Sequence, residues 1–178
     1  MGLMVAAVFA RGEDVRLRPI ERDDLSFLSE HRNDPQVWRS LGWPKPENHR
    51  QEVAFFEDTV CDDQSTHLLV VVDDRPVGMV SFNGEDTDHD SAELGYWIAP
   101  SEQGNGYATD AVRTLVEYGF QQRGFHRIEA RVFEGNDASR AVLERLGFTH
   151  EATIRESQWI GGEYRDVEWF GLLRSEWG

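Results

Sequence analysis

Gln103-Gly104-Asn105-Gly106-Tyr107-Ala108 stands between a strand-like run that ends at Pro100 and the longest amphipathic stretch of the chain, and its chemistry is that of an anion cradle. Glycine lacks the Cβ that blocks close approach to a backbone, and the first turn of a helix offers unpaired N–H donors at the positive end of its dipole. Together they suit a phosphate group. A glycine-rich turn with no ligand is the alternative reading of the same residues. A dinucleotide fingerprint fails on detail. Thr109 stands where its third glycine or alanine belongs, Glu129 sits early in its strand rather than at the end, and the turn follows an antiparallel run. Metal chemistry finds no support. Asp86, Asp88 and Asp90 imitate the start of a calcium loop, but Ser91 and Trp97 occupy the positions that need glycine and glutamate. The six histidines include no H-x-x-x-H pair, and Cys61 stands alone, so neither zinc spacing nor a Cys-His dyad is present.

The elements that must hold this cradle follow from periodicity. Val15 to Ile20 alternates as a strand with Pro19 at its end, and Asp23 and Asp24 precede a helix with Leu25, Phe27 and Leu28 on one face. Pro35, Pro44 and Pro46 break the region that follows into a short helix at 36–41 and another at 49–61. His67 to Asp73, Val77 to Asn83 and Ala92 to Ala99 read as a three-stranded antiparallel meander. Gly106 to Gln122 repeats apolar residues at helical spacing, and Arg127 to Phe133 alternates, so a strand, a helix and a strand make a parallel crossover. A shorter helix over 136–146 ends at Gly147, and strands over 148–159 and 164–173 turn at Gly161 and Gly162. The reading is one α/β domain over 13–178: a mixed, twisted sheet of about seven strands with helices on both faces.

Composition narrows the partners. Among 178 residues, 33 acidic against 18 basic ones give a formal charge of −15, which disfavours nucleic acid and anionic membrane surfaces. Lys45 is the only lysine, and an acid-rich, lysine-poor surface of this kind suits solubility at high salt. With one cysteine no internal disulfide forms, which points to a reducing, cytoplasmic setting. Residues 1–12 begin with an apolar run too short to span a bilayer and are read as an arm or as a contact in a homodimer.

Gln103, Gly106 and Ala108 match the Gln/Arg-x-x-Gly-x-Gly/Ala signature of the acyl-CoA-dependent N-acetyltransferases of the GNAT superfamily, and the chain resembles that family from Val15 to Trp169. AELGYWIAP before the signature, and NDASR with LGF after it, are similar to the RimJ/RimL-type branch that acetylates protein N-termini. The resemblance implies the GNAT fold, in which the strand carrying Trp97 and Ile98 splays from the one carrying Arg131 and Val132. Pantetheine would lie in the gap and pair with backbone groups of Trp97 and Ile98. The pyrophosphate would rest on the segment Gln103, Gly104, Asn105, Gly106, Tyr107, Ala108 and Thr109, with Arg140 near the adenosine end.

By the same resemblance Asn136 would bond the pantetheine arm or cap its helix, and Ser139 would approach the sulfur. Other branches place an acidic tyrosine seven residues after the asparagine, where this chain has Leu143. An amine is mostly protonated at neutral pH and must lose a proton before it attacks, so a base is needed. Glu93, on the strand leading into the gap, is the candidate, with a solvent-facing charge as the alternative. Trp38, Trp43 and Tyr164 are the expected acceptor contacts. The expected function is transfer of acetyl from acetyl-CoA to a primary amine in a ternary complex, with a protein N-terminal α-amine as acceptor. Polyamines, aminoglycosides or amino acids, and a catalytically silent acyl-CoA-binding domain, are the alternatives.

Overall fold

Apolar side chains fill nearly every position over 67–72 because that strand is covered on both sides: Leu69 and Val71 pack to one face of the sheet, Leu68, Val70 and Val72 to the other. The computed structural model describes residues 7–43 and 45–178. Residues 1–6, within the expected arm, and Pro44, one of the expected helix breakers, lie outside the described residues.

Among the described residues eight strands form one sheet: β1 (Ala10–Arg11), β2 (Arg16–Pro19), β3 (Thr66–Val72), β4 (Arg75–Asp86), β5 (Ser91–Ile98), β6 (Arg127–Phe133), β7 (Thr149–Ile160) and β8 (Glu163–Leu173). Their spatial order is β1-β2-β3-β4-β5-β6-β8-β7. Each neighbouring pair is antiparallel except β5 with β6, which is parallel. The mixed sheet is as expected, with one strand more than about seven. The additional one is β1, whose two residues are too few to show a periodicity and which lies inside the segment read as an arm.

Helices α1 (Leu25–Arg32), α2 (Pro35–Leu41) and α3 (His49–Phe55) cover one face, around Leu28, Val37, Leu69 and Trp97. Helices α4 (Tyr107–Tyr118) and α5 (Asp137–Arg145) cover the other, where Val112, Leu115 and Leu143 are fully buried against Val80, Phe82 and Phe170. The α-helical part of α4 is shorter than its periodicity suggests. Residues 119–123 widen into a π-helical turn, and Gly119 at its start lets that turn pass close to β4, since a Cβ there would stand 2.8 Å from the Phe82 ring.

Asp110, buried in the first turn of α4, fastens that helix to the start of the domain. Its carboxylate accepts the backbone N–H groups of Glu13, Asp14 and Val15 at 3.0, 2.8 and 3.0 Å. Gly12 lets the chain come this close, since a Cβ there would lie 2.5 Å from the carboxylate oxygens. The helix that opens with the glycine turn is therefore held at a fixed height against β2, and the turn with it.

Candidate active site

The parallel strands meet over three residue pairs only, from Ser91 with Arg127 to Glu93 with Glu129. Beyond Glu93, β5 stays paired with β4 as far as Ile98, and β6 stays paired with β8 as far as Phe133. The two strands separate, and among the described residues the β6-facing backbone edge of β5 past Glu93 has no sheet partner. The wedge between them opens a cleft of about 730 Å³.

Gln103, Gly104, Gly106, Tyr107, Ala108 and Thr109 all line that cleft. Gly104 and Gly106 hold φ at 81° and 83°, the left-handed region where a Cβ is strained, and Gly106 is the N-cap of α4. A Cβ built on either would meet nothing within 4 Å, so both face free space. These features fit a bound diphosphate: exposed N–H donors at a helix start, with no side chain in the way. Gln103 does something the motif does not reveal. Its Nε2 donates to the carbonyl of Ile98 at 3.0 Å, bracing the end of β5 against the turn. Asn105 is outside the lining, its side chain donating to the carbonyl of Glu102 at 3.0 Å.

Trp97 and Ile98 line the cleft from β5. The Trp97 ring is buried against Phe27 and His31, with centroids 5.7 and 5.8 Å away. The bond from the Ala99 N–H to the Val77 carbonyl fixes a register in which the backbone of Trp97 pairs with Met79 on β4, so of the two expected pantetheine partners only Ile98 turns its backbone to the open edge. Asn136 caps α5, its Oδ1 accepting the N–H of Ser139 at 3.2 Å, and it also borders the cleft. Both readings of Asn136 are thus compatible with its position. Arg140 is elsewhere: it is ion-paired with Glu168 and absent from the cleft wall, where Arg145 of the same helix stands instead. Sequence spacing could not choose between arginines five residues apart. Burial of Leu143 and Leu146 sets the rotation of α5 and turns Arg145 toward the cleft.

Glu93 lines the cleft, and Arg131 Nε donates to its Oε1 at 2.7 Å. Ser139 lines it too, and its Oγ lies 2.7 Å from the phenol oxygen of Tyr96. Burial pushes the Tyr96 phenol up to about 12, so it stays protonated across the physiological range. Leu143, where other branches carry the acidic tyrosine, is fully buried in the core. Tyr96 is thus a phenol in the cleft that a search at Leu143 misses, because it comes from the strand and not from α5. Of the expected acceptor contacts, Trp43 lines the cleft while Trp38 and Tyr164 do not. Trp38 lies under Arg39, and Tyr164 is 61% exposed beside Trp159 on the β7–β8 hairpin.

A half-open sheet with a glycine turn at a helix start defines a class: enzymes that hold an extended, phosphorylated thioester against free strand edges. A family model for the acetyltransferase (GNAT) domain matches residues 14–149, and the chain belongs to that family. It is an acetyl-CoA-dependent N-acetyltransferase. It is 30% identical over 154 residues to the spermidine N(1)-acetyltransferase of Escherichia coli K12, covering 86% of this chain and 82% of that one. It is 38% identical over 100 residues to YdaF of Bacillus subtilis, provisionally named a ribosomal N-acetyltransferase, covering 56% of this chain and 55% of that one. The spermidine N-acetyltransferase of Vibrio cholerae, solved with CoA and spermine, superposes with a TM-score of 0.86 at 26% identity, covering 92% of this chain and 97% of that one.

Proposed function

We propose that the acceptor is an α-amine at the N-terminus of a protein or peptide, acetylated in the cleft between β5 and β6. One observation carries this reading: each carboxylate lining the cleft is offset by an arginine, Glu93 by Arg131 and Glu102 by Arg75 at 3.2 Å. A polyamine brings several positive charges and calls for uncompensated carboxylates. An α-amine brings one. It titrates near 7.7–8.0, so about a tenth is already neutral at pH 7, against less than about one in a thousand for an alkyl amine near 10.4. The demand on a base is correspondingly small, and Glu93 meets it by accepting the proton through water at Oε2 while Arg131 holds Oε1.

In this reading the amides of Gly104 to Thr109 hold the diphosphate, Arg145 adds the nearby cation, and the free edge of β5 takes the pantetheine amides. The bound thioester supplies the activated acyl group; the protein orients it and excludes water. Trp43 borders the acceptor side.

The second reading is a polyamine acceptor. It is favoured by the formal charge of −15 and by the similarity to spermidine acetyltransferases. Acetyl-CoA turnover against N-terminal peptides, spermidine and aminoglycosides decides between them. The expected result is kcat/KM highest for a peptide α-amine; spermidine ahead by tenfold or more would establish the second reading in its place.

A further inference from the structure

Tyr96 and Ser139 are joined across the mouth of the wedge by more than one contact. The phenol oxygen lies 2.7 Å from Ser139 Oγ and 3.1 Å from the Ser139 carbonyl oxygen. Two hydroxyl hydrogens share three acceptors, and two arrangements satisfy the distances. In one, Tyr96 donates to the carbonyl and Ser139 donates to Tyr96, so both hydrogens are used. In the other, Tyr96 donates to Ser139 Oγ, and the Ser139 hydrogen is left to point into the cleft. No heavy atom moves between them. A negative charge arriving beside Ser139 selects the second. A serine in a first helical turn has other local partners to choose from. Here the phenol supplies its partner, and Asn136 fixes its backbone N–H.

We propose that Tyr96 is a positioning residue that turns the Ser139 hydroxyl into the cleft, where Ser139 donates a hydrogen bond to the sulfur of coenzyme A as the thiolate departs. The nitrogen–carbon bond forms and the carbon–sulfur bond breaks with its electron pair passing to sulfur. The proton shed by the nitrogen passes through water to Glu93, and both hydroxyls finish as they began. Magnitude favours hydrogen bonding over full proton donation. A phenol held near 12 would transfer its proton to a thiolate of a thiol near 8.5 against a factor of about 10³. The pair stabilises the leaving group without protonating it, and the buried Leu143 has no part in the step.

The inference rests on coenzyme A occupying this cleft, and its test needs no acceptor. Coenzyme A is bound to the protein and its thiolate absorbance titrated with pH, for the parent and for Tyr96→Phe, Ser139→Ala and the double variant. Calorimetry gives each affinity, and thermal unfolding checks each fold. The expected bound thiol titrates about one unit below its free value, a tenfold gain in thiolate. Ser139→Ala should abolish that gain, Tyr96→Phe should reduce it, and the double variant should match Ser139→Ala, since Tyr96 acts through Ser139. A bound thiol unaffected by Ser139→Ala, or a Tyr96 effect that persists in the double variant, overturns the proposal. Folded parent protein that takes up no coenzyme A overturns the cleft assignment itself, a distinct outcome.

Discussion

Arg145 and Arg140 are five residues apart on one helix and should respond in opposite ways to removal. Arg145→Ala is expected to raise KM for acetyl-CoA about tenfold, with kcat little changed, because it removes a cation from the wall of the cleft proposed to hold the cofactor. Arg140→Ala should leave KM within about twofold, its charge being spent on Glu168; steady-state kinetics on both variants checks the pair. At this scale the glycine turn was legible in the sequence, because Gly104 and Gly106 are needed for their backbone angles and those angles belong to local chemistry. Tyr96, Arg145 and the bracing role of Gln103 were not legible, because each depends on how two distant elements are oriented. His67 shows a similar dependence. It is buried on β3 beside the Phe55 ring, with neither ring nitrogen hydrogen-bonded, and burial, helped by Arg32, lowers it to about 4. A depressed histidine stabilises the fold above its unfolded value of about 6.5, and that stability is lost as pH falls toward 4, about 3 kcal/mol in all. Glu52, raised by burial, works in the opposite direction. The measurement is therefore a difference: His67→Phe should unfold less steeply with acid than the parent over pH 6.5 to 4, read from denaturant midpoints.

Asp110 is the element-scale counterpart, since its carboxylate gathers three amides of the segment before β2 and ties them to α4. Replacing it with alanine leaves those donors without a partner and should cost about 3 kcal/mol, a fall in melting temperature of about 6–12 °C by calorimetry. Amides of the glycine turn should also lose order, so the variant is expected to bind CoA more weakly even at temperatures where it is folded. Periodicity revealed the helices and strands here because most are amphipathic, and it revealed β3 because its apolar run is continuous. It could not reveal β1, whose two residues have no period, nor the widening that starts at Gly119, where the close neighbour is the ring of Phe82 on a strand. β7 reads as strand-like, yet nearly all of it is exposed; it is the last strand of the sheet and pairs with β8 alone.

Across the whole molecule, the formal charge of −15 acts against an anionic cofactor and for a cationic acceptor. Raising salt from about 0.05 to 0.5 M shortens the reach of that field to a few ångströms. KM for acetyl-CoA should therefore fall with salt. KM for a singly charged peptide amine should change little, and KM for a polyamine should rise steeply, so one salt series separates the two acceptor readings. The three rungs that join β5 to β6 carry a last consequence. The sheet is two panels with a narrow seam, and past the seam the N–H groups of β5 that face β6 have no strand partner among the described residues. Deuterium uptake in the uncomplexed protein should therefore be fastest at alternate residues over 94–98. It should slow there when CoA is added, while β3 and β4 behind them stay unchanged.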